Sequence, residues 1–572
     1  MAATIGSGPG TTYRLNLAGL ADFVGRSHAR AAAFLIALSL LAFIPGFFQI
    51  PPVDRDEARF AQATKQMIES GDYVDIRFQE ESRYKKPVGI YWLQSVVVNA
   101  ANAVGVRRAT VSIGAYRIPS LLGAIGAVLL TYWAALGFVS RRAALLAGIM
   151  MASCFLLGVE ARLAKTDAAL LATCVAAMGA LGRAYLAEQG ITRTASHPWL
   201  LPAVFWTALA VGALIKGPLI LMFVGLAIAT LAIVDRSAPR YLLRLKPLPG
   251  IAWLILLVLP WFIAIIMRSG MTFFSQSVGD DMLAKVGTGQ ESHGMPPGYY
   301  LVLFWVTFFP GAILAGLAIP AIWAVRREPG AKFLLAWIVP AWIVFEIVAT
   351  KLPHYVLPLY PAIAILIAGV IDHHGLSSRL WLTRGTVWWL LITTTITAVI
   401  ITANVIVGQQ LGFLAWPFAA LAIIFAFRAW WLYGQDGAEH ALLRGAAAAV
   451  FLSIATFGAT IPRLPQLFPG AQVARYLRGV DCVPSLVTAG YHEPGLVFLA
   501  GTATHQSDAI GAADFLLAGG CRFAVVERGQ ERAFVQRAEA IGLRYSSARR
   551  VDGYSLGSGR RVSLAIFRAD RG

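Results

Sequence analysis

The sequence predicts a polytopic α-helical membrane protein, with about thirteen transmembrane helices, interfacial helices in the first external loop and a small C-terminal α/β domain. Three observations predict it. Only 14% of the 572 residues are charged and 58% are hydrophobic, whereas a soluble chain carries roughly a quarter charged. Apolar runs of about twenty residues, the length that crosses a bilayer, recur from 31 to 461. After Pro462 the apolar runs shorten and alternate with helical stretches, the pattern of an α/β unit.

The first 30 residues are largely polar and carry Arg14, Arg26 and Arg30. No small-residue cleavage site follows the first apolar run, so that run is expected to be a retained span rather than a signal peptide. The expected spans are 31–50, 117–139, 143–160, 168–186, 200–214, 218–234, 250–268, 299–323, 332–349, 353–371, 386–407, 412–431 and 444–461. The net charge of +18 does not point to nucleic acid, because Lys and Arg collect in cytoplasmic loops beside anionic headgroups. Arg141 and Arg142, "DRSAPRYLLRLK" (235–246), Arg326 and Arg327, Arg379 with Arg384, and Arg444 all fall on one side of the thirteen spans. That side is expected to be the cytoplasm. The other side receives 51–116, 161–167, the Lys216 turn, 269–298, the Lys351 turn and everything after 461.

In the long first external loop, "EARFAQATKQMIESGDY" reads as an amphipathic helix with Ala58, Ala61, Met67 and Ile68 near one face and Gly71 at its end. The apolar stretch 88–105 is expected to lie in the interface, with Tyr91 and Trp92 at headgroup level. A crossing there would put the downstream basic loops on the wrong side. Beyond 462, "SLVTAG", "PGLVFLAG" and "FAVVERG" alternate with "GAADFLLAGG" and "ERAFVQRAEAIG". Cys482 and Cys521 precede two of the expected strands, so they either form a disulfide in an oxidising compartment or remain two free thiols. Cys154 and Cys174 fall in spans as packing residues.

The external side collects the mixed-charge motifs "DRDEARF", "ESRYKKP", "EARLAKTD", "IKGP", "GDDMLAK" and "TKLPHY". Most abut a span end, where ionisable residues are functional candidates. Paired acids among several cations suit transfer of a group from a phosphate-linked donor: an acid orients or deprotonates the nucleophile and cations hold the departing phosphate. Each residue also has a structural reading. Asp56 could cap the helix that follows it, and Asp54 more readily caps or pairs with Arg55. Lys86 could be a snorkelling anchor, Asp167 another cap, with Arg162 and Lys165 merely its partners, and Lys351 and Tyr355 ordinary belt residues. His354 has no second ligand at i+4 and no His/Cys cluster, so no metal is expected on it. Asp280, Asp281 and Lys285 could cover a sugar, and "GTGQESHGMPPG" (287–298) reads either as a lid or as a plain surface loop.

Asp56-Glu57 after the first span, "RYKKPVGIYW", "ARLAKTD", "LIKGP" and "KLPHYVLPLYPA" together resemble the GT-C-type polyprenyl-phosphate-dependent glycosyltransferases. The branch they resemble includes the bacterial aminoarabinose–lipid A transferases and the protein O-mannosyltransferases. The resemblance covers nearly the whole chain. It implies a cytoplasmic segment 1–30, a transmembrane transferase domain 31–461 with its active-site acids in 51–116, and a periplasmic α/β domain 462–572. It implies Asp56 and Asp167 as catalytic acids, and Lys86, Lys351, Tyr355 and Arg59 as ligands of the carrier phosphate. Glu57, Lys85, Tyr84 and Arg162 would support them. The reaction implied is inverting transfer of one sugar from a polyprenyl-phosphate carrier to an envelope acceptor, lipid A or another glycolipid, by a monomer at the periplasmic face of a bacterial inner membrane. Protein O-glycosylation and transport of lipid-linked sugars are the alternatives; the absence of an inverted repeat or a mid-span acid pair argues against transport.

The chain departs from the aminoarabinose pattern in one place. Lys85 stands where those enzymes carry an acid and Arg83 where they usually carry a tyrosine. No cofactor is predicted, a divalent metal stays open, and the expected donor is a neutral or anionic sugar, a uronic acid being one option.

Overall fold

The computed structural model describes residues 23–53, 55–191, 197–235, 240–283 and 294–570. Asp54, Lys285, residues 1–22 with Arg14, and 287–293 of the expected lid lie outside the described residues. Among the described residues seven helices are long and apolar enough to cross a bilayer: Ile113–Ala135, Asp167–Glu188, Pro247–Ser269, Pro329–Ile347, Pro353–Asp372, Leu380–Ile406 and Tyr433–Arg463. An eighth forms if Tyr299–Thr307 and Ala312–Ala324, bent by 118°, count as one span. Four shorter apolar helices, His28–Phe43, Leu200–Lys216, Leu219–Val234 and Trp416–Trp431, accompany them. The chain is a multi-pass membrane protein.

The run expected as one span over 143–160 is two helices, Arg141–Ala152 and Phe155–Glu160. The break has a local cause. Ser153 Oγ donates back to Ile149 O at 2.7 Å, and the Phe155 amide leaves the ladder for Phe309 O at 3.1 Å. Helices Ile113–Ala135 and Asp167–Glu188 pack along much of their lengths. Gly123 permits the approach, since a Cβ there would lie 2.7 Å from Ala169 Cα. Small residues at a membrane crossing let backbones meet in this way. The contact sets the start of Asp167–Glu188 beside Ser120 of Ile113–Ala135; Ser120 Oγ donates to Lys165 O at 3.0 Å.

Both ends of the bundle carry ion pairs. Asp167, the first residue of its helix, meets Lys216, whereas Glu188, the last, meets Arg244 at 2.7 Å. On the latter side Arg142 also meets Glu439 at 3.0 Å and Lys332 meets Asp235 at 3.4 Å.

In the first loop the expected amphipathic helix runs Arg55–Ser70 and buries Ala58, Phe60, Ala61 and Met67. A short hairpin, β1 (Arg77–Phe78) with β2 (Glu81–Ser82), leads to helix Gly89–Ala103. Fifteen residues span about 22 Å at 1.5 Å per residue, short of the roughly 30 Å hydrocarbon core. Tyr91 corrects the expectation for this helix. It is fully buried, 5.4 Å from the Phe60 ring, because it faces the amphipathic helix rather than the headgroups; Trp92 stays partly exposed.

The C-terminal residues form a five-stranded sheet of order β4-β3-β5-β7-β6, from β3 (Ser485–Ala489), β4 (His505–Ser507), β5 (Arg522–Glu527), β6 (Tyr545–Tyr554) and β7 (Arg561–Ala569). β3 is parallel to β4 and β5, and β7 is antiparallel to β5 and β6. Cys482 and Cys521 are disulfide-bonded, with Cα atoms 6.1 Å apart. Helix Pro494–Ala500 docks on the amphipathic helix: Lys65 Nζ donates to Phe498 O at 3.2 Å, and Gln62 Nε2 to Thr502 Oγ1 at 2.8 Å.

Candidate active site

The amphipathic helix starts the site. Its first turn holds Asp56 and Glu57, which point to different environments. Glu57 is fully buried. Its carboxylate accepts from Arg117 Nε at 2.7 Å and Nη2 at 3.0 Å, and from the amides of Val53 at 2.8 Å and Ala164 at 2.9 Å. Arg117 also donates to the carbonyls of Phe47, Ile50 and Pro51. A bidentate buried pair of this kind fixes geometry. It ties the end of the first apolar helix, the start of the loop helix and the turn before Asp167 to one another. Glu57 is thus a fastener, and its partner Arg117 was not among the residues singled out from the sequence, which read simply as part of an apolar span.

Asp56 is half-buried and faces cations. Arg83 Nη2 lies 3.6 Å and Arg59 Nη1 4.0 Å from Oδ1. Burial pushes its carboxyl upward, but Arg83, Lys165, Arg59 and Lys85 outweigh that and hold it below the usual aspartate value. Arg83 is buried, stands over the Phe60 ring at 5.1 Å, and its Nε finds no acceptor among the described residues. Lys85 is exposed. Tyr84 points elsewhere. Its hydroxyl donates to Asp75 Oδ1 at 2.7 Å, and burial with that bond pushes it up to about 12.

Lys86 pairs with Asp281, from the Ser275–Leu283 segment. Asp167 pairs with Lys216 at the end of helix Leu200–Lys216. The charges of Asp56, Asp167, Asp281 and Lys165 all act on the Tyr355 hydroxyl. So Asp56, Asp167, Lys86, Arg59 and Tyr355, spread over three hundred residues of sequence, converge.

Besides Glu57 and Tyr84, two further expected site residues do not join them. Lys351 is buried, and its ammonium donates to the carbonyls of Phe345, Glu346 and Val348. These are terminal carbonyls of helix Pro329–Ile347 that lack intrahelical partners. In this position the lysine closes a helix end. Arg162 likewise spends its guanidinium on Pro45 O, Gly158 O, Ala42 O and Ser453 Oγ. It binds the first helix to the last and does not pair with Asp167. His354, expected to lack metal-ligand company, lies between Glu160 and Asp167. The signal was in "EARLAKTD", whose Glu160 received no role, because its other neighbour is nearly two hundred residues away.

The site therefore offers a half-buried carboxylate held ionised by cations, a second buried acid seven residues after Glu160, and lysines already paired with carboxylates that an incoming anion can replace. Such an arrangement binds phosphates and orients a nucleophile.

The chain is similar to known proteins. The family described as dolichyl-phosphate-mannose-protein mannosyltransferase matches residues 33–269. An undecaprenyl phosphate-alpha-4-amino-4-deoxy-L-arabinose arabinosyl transferase of Erwinia tasmaniensis is 28% identical over 436 residues, 72% of this chain and 70% of that protein. Its namesake from Aeromonas salmonicida is 29% identical over 338 residues, 58% of each chain. Among solved structures, ArnT of Cupriavidus metallidurans bound to undecaprenyl phosphate superposes with a TM-score of 0.72 at 18% identity, covering 93% of this chain and 97% of that one. The apo oligosaccharyltransferase of Archaeoglobus fulgidus gives 0.50 at 12% identity, covering 91% and 69%. The fold is the one these structures share.

Proposed function

We propose that this chain, a membrane glycosyltransferase of the polyprenyl-phosphate-dependent kind, moves a single sugar from its carrier onto a phosphate of an envelope glycolipid such as lipid A, with inversion at the anomeric carbon. The observation that carries the acceptor class is the cationic surround of Asp56. A carboxylate held below its ordinary pKa is a weak base. It suits orienting a nucleophile that is already anionic better than stripping a proton from a hydroxyl. Arg83, with a buried donor unused, and Arg59 supply the positive charge such an acceptor needs.

In this reading Asp56 orients the acceptor and Asp167 contacts sugar or acceptor. Lys86 takes the carrier phosphate, which displaces the Asp281 carboxylate from it, and Tyr355 donates to the departing phosphate. Arg83 and Lys85 disfavour an ammonium-bearing donor sugar, so a neutral or uronic sugar is the preferred donor, although the relatives' names specify an aminoarabinose.

Thirteen spans over 31–461, a cytoplasmic segment 1–30 and a periplasmic α/β domain 462–572 complete the assignment, with a monomer in the inner membrane and its site facing the periplasm. The basic loops support this orientation, and the Cys482–Cys521 disulfide suits an oxidising compartment. The protein-mannosyltransferase match over 33–269 favours a second reading, in which the acceptor is a protein hydroxyl.

Purified protein incubated with labelled polyprenyl-phosphate sugars, and with lipid A or hydroxyl-bearing peptides as acceptors, decides between them. Transfer to lipid A, absent in Asp56→Asn, is expected. Transfer only to peptide replaces the first reading by the second. Movement of lipid-linked sugar across vesicles with no covalent transfer would defeat both.

A further inference from the structure

Glu160 ends helix Phe155–Glu160, Asp167 begins helix Asp167–Glu188, and His354 belongs to the turn Pro353–Leu359. All three are shielded from solvent: Glu160 is 3% and Asp167 5% exposed, and the His354 side chain 9%. One ligating atom from each lies within 4.8 Å of the other two. Nδ1 of His354 is 3.4 Å from Glu160 Oε1, and Nε2 is 3.6 Å from Asp167 Oδ1.

Those distances bear on what holds the cluster together. An imidazolium donating to two carboxylates makes charge-assisted bonds of about 2.7–2.9 Å, and both contacts here are longer. Glu160 Oε2 is buried with no hydrogen-bond partner, a state that ordinarily costs about 1–3 kcal/mol or more for a charged group. Neighbouring ligands on an ion with bonds of roughly 2.1 Å stand about 3.4 Å apart in a tetrahedral site. Nδ1 of His354 and Glu160 Oε1 have that spacing; the Asp167 contact is made by the other ring nitrogen, and its carboxylate joins them within the 4.8 Å cluster of one ligating atom per residue.

We propose that Glu160, Asp167 and His354 form a divalent metal site with three protein ligands and an open position. One imidazole nitrogen with carboxylate oxygens suits Zn²⁺ or Mn²⁺. Two ionised carboxylates balance the ion's charge. Lys216 on Asp167 and Lys165 nearby oppose it, so binding is weaker than at a closed structural site. Tyr355 adjoins the cluster, its ring 5.2 Å from that of His354. If the proposed carrier-phosphate role of Tyr355 holds, the open position faces the departing phosphate, and the ion would stabilise its charge. That last step rests on the transferase reading; the metal site does not.

Metal content separates the two. The full chain, purified without chelator and again after EDTA stripping and titration with ZnCl₂ or MnCl₂, is assayed by inductively coupled plasma mass spectrometry. One ion per chain is expected, lost in Glu160→Gln and in His354→Gln. X-ray absorption at the edge of the metal bound to the unsubstituted protein is expected to show one imidazole and otherwise oxygen ligands. That measurement stands even if the variants fold poorly. No ion in the unsubstituted chain in either preparation overturns the proposal. So does an ion retained by folded variants, or a coordination shell with sulfur or two imidazoles. A metal-loaded chain that transfers no sugar would overturn the transferase reading alone.

Discussion

At Asp56 four cations act on one half-buried carboxylate, and the sign of their effect sets its pH behaviour. Its folded pKa lies below the ordinary 3.8. The charge is thus kept as pH falls through that value, and its share of stability, fully present above 3.8, is lost only as pH drops through the lower folded pKa. Arg83→Gln removes a cation that lowers this pKa. The acidic limb of the kcat/KM profile is expected to move to higher pH, and an unmoved limb would show that Arg83 does not govern Asp56. Asp56→Asn is expected to lower kcat by roughly 10²-fold, the scale of a lost orienting contact, with only a small fall in melting temperature by differential scanning fluorimetry, because its ion pairs are partly exposed. Glu57, its neighbour, should behave in the opposite way. Glu57→Gln leaves the buried Arg117 charge uncompensated, which typically costs about 3–5 kcal/mol, so a lower melting temperature is expected before any effect on chemistry. Two adjacent acids look alike in sequence. What separates them is Arg117, 60 residues away, and a span residue gives no sequence signal of the carboxylate it will meet.

The helices and turns carry the second scale. Lys351 and Lys86 both precede prolines after an apolar or mixed stretch and were legible as the same kind of residue. The fold sends one to the carbonyls at the end of Pro329–Ile347 and the other to Asp281. Lys351→Met is therefore expected to reduce thermal stability while leaving KM for the polyprenyl donor unchanged. Lys86→Met should lower kcat/KM for the donor by roughly 10- to 100-fold, the equivalent of about 1.5–3 kcal/mol for a charge-assisted bond, and also lower the melting temperature, because buried Asp281 loses this cation. Steady-state kinetics beside a melting curve for both variants distinguishes them. The amphipathic period was enough to find Arg55–Ser70. It was not enough to orient Gly89–Ala103, whose tyrosine turned inward, because a helix that is apolar on most sides does not say which face meets protein and which meets lipid. Nor did it show the break at Ser153, where hydrogen bonds outside the ladder decide.

For the whole molecule, the separation of basic loops from acidic turns makes orientation a testable property. An alkaline phosphatase fused after Gly572 should be active and a fusion at Arg327 inactive in a Gram-negative host; the reverse pattern would turn the assignment over. The disulfide closes a 39-residue separation in the C-terminal sheet. Reduction or Cys482→Ala is expected to weaken that region by about 2–4 kcal/mol, read by hydrogen exchange at β3 and β5. The sequence by itself determined the membrane class, the first-loop helix and the short-range motifs holding Asp56, Lys86 and Asp167. Hydropathy and period are local properties, and a local reading recovers them. Only the tertiary structure decided which of those charges face one another: Glu57 with Arg117, Lys86 with Asp281, Asp167 with Lys216, and Glu160 with His354 across nearly two hundred residues. Each pairing depends on helices from distant parts of the chain ending at the same depth, and on which side of each helix end the packing leaves open.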